Sequence, residues 1–218
     1  MPKRFDLLVF DWDGTLMDSA GAIAFSIQAA SRDVGLPAPG DNEARHIIGL
    51  GLNEAIAALF PELPRSGYEA LVERYRHYYL SQDTEISLFI GAAETIAALH
   101  EEGFLLAVAT GKGRRGLDRV FEQTGLGQYF HTSRCADECF SKPHPGMLLE
   151  IMGELGVPQA KTLMIGDTSH DLQMASNAGV SAVGVCYGAH PREGLLALSP
   201  LACADNFSDL SRWLSDHA

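Results

Sequence analysis

The 218-residue sequence predicts an α/β fold, a doubly wound (Rossmann-like) parallel sheet core carrying an inserted α-helical cap domain. Three observations predict it. Short apolar runs recur along the chain, and several end in Asp, Thr or Gly, as buried parallel strands do at their carboxyl ends. Beyond residue 85 these runs alternate with segments of helical periodicity, the pattern of strand–helix–strand units. Between residues 17 and 84 nothing reads as strand, so that stretch is a helical insertion into an otherwise alternating chain.

The first strand is the run Leu7–Phe10. After it, Ile23, Ile27, Ala30 and Val34 recur at helical spacing and predict a helix over Ser19–Val34, broken by Leu36-Pro37-Ala38-Pro39-Gly40. Shorter helices are expected over Asn42–Ile48 and Asn53–Phe60, separated by Gly49-Leu50-Gly51. Ser66-Gly67-Tyr68-Glu69 has the spacing of a capping box and opens a helix running to about Ser81. Tyr68, Tyr75, Tyr78 and Tyr79, with Leu71 and Val72, read as its packing stripe.

The alternation then begins. A helix over Ala92–Glu102 leads to the strand Leu105–Ala109, and one over Arg114–Thr124 leads to a weaker strand near His131–Arg134. A helix over Pro145–Leu155 precedes the strand Thr162–Ile165, and one over Asp171–Asn177 stops at Gly179 before Ala182–Val185. A last helix near Ser208–Leu214 is anchored by Trp213. The core is therefore expected to comprise residues 1–16 and 85–218, and the insert residues 17–84.

The charge balance narrows the partners. Sixteen Lys and Arg against 28 Asp and Glu give a net charge of −12, a field that repels phosphate backbones and argues against a nucleic-acid partner. A few local donors and a metal can still bind a small anion. No stretch approaches the ~20 apolar residues of a membrane span. Met1-Pro2-Lys3-Arg4 runs directly into a strand ending in aspartates, not into a signal sequence. Cys135, Cys139, Cys186 and Cys203 lack the paired spacing of a zinc site, so free thiols and a cytoplasmic location are expected. Monomer and homodimer are equally compatible with the composition.

Several strands end in polar residues of the same character. The first ends in Asp11-Trp12-Asp13-Gly14, the second in Thr110-Gly111-Lys112, the fourth in Gly166-Asp167, with Asp171 four residues on. Parallel strands present their carboxyl ends to one edge, so these groups converge although the sequence scatters them. Lys142, in Ser141-Lys142-Pro143-His144-Pro145, follows the third strand and reaches the same edge. Four carboxylates so gathered repel one another unless a divalent cation sits among them, and oxygen-only ligands favour Mg²⁺ shared with a substrate phosphate. One carboxylate is then free to attack phosphorus. The Thr110 hydroxyl, the Gly111 N–H and the Lys142 ammonium are fitting neutralisers of the phosphoryl group. Asp13, beside Asp11, is the natural proton donor and acceptor.

The set Asp11-Trp12-Asp13-Gly14-Thr15-Leu16, Thr110-Gly111, Lys142-Pro143 and Gly166-Asp167-Thr168-Ser169-His170-Asp171 resembles the four motifs of the haloacid dehalogenase (HAD) superfamily, in that family's order and over nearly the whole chain. The position of the insert resembles the subfamily with an α-helical cap. The resemblance implies that Asp11 is nucleophile and Mg²⁺ ligand, and that Asp13 is general acid/base and ligates Mg²⁺ through its backbone carbonyl. It implies that Thr110 and Lys142 hold the phosphoryl group and that Asp167 ligates the metal, with Asp171 ligating or supporting it. Founding dehalogenases of the superfamily lack the second aspartate of the first motif, so Asp13 argues for phosphoryl chemistry.

Asp18-Ser19 and the cap segment Ile47-Ile48-Gly49-Leu50-Gly51-Leu52 look most like phosphoglycolate phosphatases, which implies a small phosphorylated metabolite as substrate. Gly49 and Gly51 let backbone approach such a substrate, and Arg45 or His46 is placed to pair with its second anionic group. Two rivals share the chemistry. A phosphosugar mutase of the β-phosphoglucomutase kind returns the phosphoryl group to substrate, and a phospho-receiver module stores it as a signal. Receiver modules are much shorter and need no helical insert.

Overall fold

The structure, a computed structural model, describes residues 3–82 and 86–218. Strand β1 (Leu7–Phe10) is apolar throughout and fully buried, as a strand covered on both faces must be. Its side chains alternate: Leu8 and Phe10 enter one hydrophobic cluster, Leu7 and Val9 another. Burying each such side chain contributes about 1.5–3 kcal/mol.

Beyond β1 the chain first forms the helices of the insert, α1 (Ala20–Asp33), α2 (Asp41–His46), α3 (Leu52–Leu59) and α4 (Tyr68–Ser81). They pack on one another through a core of their own, in which Ala24, Ile27 and Ala30 of α1 meet Ile56 of α3 and Leu71 of α4. The expected capping box at Ser66 does not form. Arg65–Gly67 make a 3₁₀ turn and α4 starts from Gly67, whose N-terminal side no side chain caps. The segments entering and leaving this helical stretch lie side by side: Asp18 N–H donates to the Ser87 carbonyl (2.9 Å) and Phe89 N–H to the Leu16 carbonyl (3.0 Å). The expected boundary at residues 84 and 85 lies outside the described residues.

The rest of the chain alternates: α5 (Ala92–Glu101), β2 (Leu105–Thr110), α6 (Arg114–Thr124), β3 (Thr132–Cys135), α7 (Gly146–Leu155), β4 (Thr162–Gly166), α8 (Ser169–Ala178), β5 (Ser181–Val185), α9 (Arg192–Leu196), β6 (Cys203–Ala204) and α10 (Phe207–His217). The strands form one parallel sheet in the order β3-β2-β1-β4-β5-β6. Helices α5, α6 and α10 cover the face bearing Leu8 and Phe10, and α7 and α8 cover the other. That is the doubly wound arrangement expected. The chain reverses direction across the sheet between β1 and β4, where ligands of open α/β sheets collect. Register aligns the ends: Phe10 lies beside Val108 and Ile165, so residue 11 leaves the sheet level with the ends of both neighbours.

The four cysteines are free thiols, and burial pushes Cys135 up to about 12. Among the described residues no helix is long and apolar enough to cross a membrane.

Candidate active site

Beyond Phe10 the chain delivers Asp11 and Asp13 to one side, while Trp12 turns into the core against the edges of Phe121 and Phe130. Asp11 is 1% exposed. Its backbone N–H continues the ladder to the Ile165 carbonyl (2.9 Å), which sets its carboxylate between β1 and β4.

Asp11, Asp167 and Asp171 are all buried, and one carboxylate oxygen from each lies within 4.8 Å of the others. Asp167 is held by Thr15, whose hydroxyl donates to Oδ1 (2.9 Å), and by the Ala189 N–H, which donates to Oδ2 (2.7 Å). Asp171 is fixed at the start of α8. Thr168 donates to its Oδ2 from both hydroxyl (2.6 Å) and backbone N–H (3.1 Å), a reciprocal cap of the helix. Glycines make room for this crowding: a Cβ on Gly14 or Gly188 would overlap Asp167, and one on Gly166 would overlap Asp171.

Asp11 alone in this group accepts no hydrogen bond at either oxygen, although Oδ1 forms an ion pair with Lys142 Nζ at 2.9 Å. The same ammonium donates to Asp171 Oδ1 at 2.6 Å. Burial works against the charge on Lys142, but the two carboxylates outweigh it and hold the ammonium firmly protonated. Burial pushes the Asp11 carboxyl up to about 7 against the pull of Lys142, with Asp171 adding to the rise. Burial, then the charges of Asp11 and Asp171, raise Asp167 well above the usual carboxylate range. Three buried carboxylates with one lysine among them leave excess negative charge. Together with the unbonded oxygens of Asp11, that charge fits a hard divalent cation.

The Asp13 carboxylate does not join this group. Its Oδ1 accepts from Ser19 Oγ (2.5 Å) and pairs with Lys112 Nζ (2.9 Å), so three of the four aspartate side chains cluster and the fourth faces the helical insert. Lys112 also donates to Tyr79 of α4 (3.0 Å). Tyr79 stays in the packing stripe, stacked on Tyr75 and packed with Ile23, Ile47 and Ile48, while its hydroxyl reaches the site; Tyr68, Tyr75 and Tyr78 pack on the insert's main core. Neighbouring helical residues point about 100° apart, so Tyr78 and Tyr79 cannot share a face.

Thr110 ends β2 and accepts the Lys112 N–H at its hydroxyl (3.2 Å). Gly111 follows, and the insert sits directly on it: a Cβ there would lie 2.5 Å from the Leu50 carbonyl oxygen and 2.6 Å from that of Gly49. Gly51 N–H donates to Ser141 Oγ (2.8 Å), beside Lys142. Gly49 packs on Thr168 with φ +92°, which a side chain would not tolerate.

Of the two other residues expected to meet substrate, Arg45 is paired along its own helix with Asp41 (2.9 Å) and lines an outer groove of about 1020 Å³ between α2, α3 and residues 186–191. His46 offers the core its backbone. His170 Nε2 (2.8 Å) and His190 Nε2 (3.1 Å) both donate to the His46 carbonyl at the end of α2. Since Ser169 N–H donates to His190 Nδ1 (3.0 Å), the hydrogen bonds fix that ring in its neutral form, and burial lowers it to about 4. The site roles of Thr15, Ser19 and Tyr79, which the sequence offers only as motif or packing residues, and those of Ala189 and His190 escape sequence reasoning. Only the Thr168–Asp171 cap had a local signal, its Thr-x-x-Asp spacing.

The sequence pattern of the haloacid dehalogenase-like hydrolases matches residues 8–185. The chain is 38% identical to a protein of Dickeya dadantii named "Probable phosphatase IndB", over 94% of this chain and 91% of that one. It is 32% identical to the phosphoglycolate phosphatase of Pectobacterium atrosepticum, over 93% of this chain and 89% of that one. The crystal structure of a predicted phosphoglycolate phosphatase from Haemophilus somnus superposes with a TM-score of 0.82 at 27% identity, covering 97% of this chain and 99% of that one.

Proposed function

Because the chain belongs to the haloacid dehalogenase-like hydrolase family, we propose that it is a Mg²⁺-dependent phosphomonoesterase working through an aspartyl-phosphate on Asp11, with a small substrate resembling phosphoglycolate. The observation that carries this reading is Asp11 itself, a buried carboxylate with no hydrogen bond at either oxygen and only the Lys142 ion pair at Oδ1, while Asp167 and Asp171 beside it are both hydrogen-bonded. Such a group is costly unless it has a task.

In the first step an Asp11 oxygen forms a bond to phosphorus as the ester P–O bond breaks, and Asp13 gives its proton to the departing oxygen. In the second, water attacks phosphorus, Asp13 takes the water's proton, and the bond to Asp11 breaks. Thr110 and the Gly111 N–H orient the phosphoryl oxygens, and Lys142 neutralises charge as it passes from phosphate to Asp11. Asp11, Asp167 and the backbone carbonyl of Asp13 would hold Mg²⁺, with Asp171 ligating or supporting it through Lys142. When bound, the metal supplies charge neutralisation and orientation at the phosphoryl group.

Residues 17–84 act as the cap on a core of residues 1–16 and 85–218. It opens on the paired connections near 16–18 and 87–89 to admit substrate, and it closes Gly49–Gly51 onto Gly111 to exclude water. The reading is tested with a panel of phosphorylated metabolites, each with Mg²⁺ and with EDTA. Phosphate release that requires Mg²⁺, with 2-phosphoglycolate among the preferred substrates, supports it. Release indifferent to EDTA, or none from any ester, contradicts it.

A further inference from the structure

We propose that Lys112 determines specificity: its ammonium, presented by Asp13 and Tyr79 where cap meets core, receives an anionic group carried one carbon from the substrate's ester oxygen. The inference rests on the phosphomonoesterase reading above and names the side chain that selects its substrate, a phosphorylated two-carbon hydroxy acid.

The two lysines of the site differ in what they have to give. Lys142 lies between two wholly buried carboxylates and is saturated by them. The Lys112 side chain is 10% exposed and touches one carboxylate oxygen, Asp13 Oδ1 at 2.9 Å, and one neutral phenol, Tyr79 Oη at 3.0 Å. Those contacts occupy two of the three donors of an ammonium and leave the third for another anion, and the positive charge is uncompensated while Asp13 carries the proton that it gives to the ester oxygen. Its Nζ also stands 4.8 Å from the centre of the Tyr79 ring. Its backbone is tied to the phosphoryl cradle through the N–H bond to Thr110.

Distance selects the ligand. For Asp13 to protonate the ester oxygen, the two must come within about 2.8 Å. Lys112 Nζ is 2.9 Å from Asp13 Oδ1, so an ester oxygen that meets this same oxygen reacts within about 6 Å of the ammonium. A carboxylate one methylene away from that oxygen reaches back about 3 Å and closes the gap at hydrogen-bond length. An alkyl group of the same shape would instead sit against a cation that it cannot satisfy, which disfavours it. The carbonyls of Gly49 and Leu50 over Gly111 limit how much larger the substrate can be. Since Tyr79 belongs to α4, the subsite is complete only with the cap on the core.

The test uses binding, so that it stands apart from turnover. With Mg²⁺ present, titration calorimetry compares 3-phosphonopropionate, the methylene analogue of 2-phosphoglycolate, with propylphosphonate, which lacks the carboxylate. The wild-type protein should prefer the first by roughly 30-fold, and Lys112→Gln should reduce that preference to below about 3-fold. Lys112→Arg should keep at least about 10-fold, the cation being restored. Tyr79→Phe, checked for folding by circular dichroism, should lower the preference several-fold and decides the matter if Lys112→Gln does not fold. An unchanged preference in Lys112→Gln, or none in the wild type, overturns the assignment. A wild type that shows the preference but hydrolyses no ester would sink the phosphatase reading and leave the Lys112 subsite standing.

Discussion

The carbonyl oxygen of Gly49 lies against Gly111, 62 positions along the chain, so closely that a methyl group on Gly111 would come to 2.6 Å from it. The helical insert is thus seated on the residue whose N–H is assigned to the phosphoryl group. Gly111→Ala should lift the cap from the core and raise KM at least about tenfold, since displacements of this order are costly to a positioned reaction. Steady-state kinetics with 2-phosphoglycolate check it; an unchanged KM would show that the seam is not part of the closed state.

Lys142 is the counter-charge for Asp11 and Asp171. Lys142→Ala leaves both buried without it, and loss of one member of a buried ion cluster costs about 3–5 kcal/mol. Urea unfolding in EDTA should show that loss, with part of it recovered in Mg²⁺.

Metal binding should depend on pH. Without metal, burial holds the Asp11 carboxyl near 7 instead of 3.8, so between those values the folded protein keeps a proton that the unfolded chain releases. Metal-free stability due to Asp11 is therefore full below pH 4 and falls as pH rises through 7. Mg²⁺ must displace that proton, and its affinity should weaken by up to about tenfold per pH unit below 7. Calorimetric titration of Mg²⁺ at pH 5.5, 6.5 and 7.5 measures this. A flat profile would mean that Asp11 is ionised throughout or is not a ligand.

Gly188 packs on Asp167 next to the Ala189 N–H that orients it. Gly188→Ala should push Asp167 aside and weaken Mg²⁺ binding by about 10–100-fold, the range for loss of an orienting partner. The readout is the Mg²⁺ concentration that gives half-maximal activity.

Arg45 is engaged with Asp41 on the surface of α2. Arg45→Ala should therefore alter KM less than about 2-fold and cost only a few tenths of a kcal/mol, as expected for an exposed i,i+4 pair. A large rise in KM for 2-phosphoglycolate, absent with p-nitrophenyl phosphate, would return Arg45 to the site.

What the sequence revealed follows from how local each signal is. Strand β1 and helix α6 could be read from apolar runs and periodicity within their own residues. Strand β6 could not, because Cys203-Ala204 is too short to show a pattern and is strand only by pairing with β5. Helix α8 begins at Ser169, ahead of the expected Asp171, because Thr168 caps it; there the acidic residue serves helix and site at once. Convergence of Asp11, Asp167 and Asp171 could be read from parallel strand ends, since topology alone aligns them. The direction of the Asp13 carboxylate could not. It depends on Lys112 and Ser19, and the return of Ala189 and His190 to the site depends on a loop with no pattern of its own.

The central claim is tested most directly by trapping. Substrate mixed with excess enzyme, quenched in acid within milliseconds and reduced with borohydride, converts a phosphorylated aspartate to homoserine, which peptide mass spectrometry locates. Homoserine at position 11, absent from Asp11→Asn, is the result expected. Phosphate released in a first turnover with no modified residue, or with the label on Asp13, would contradict it.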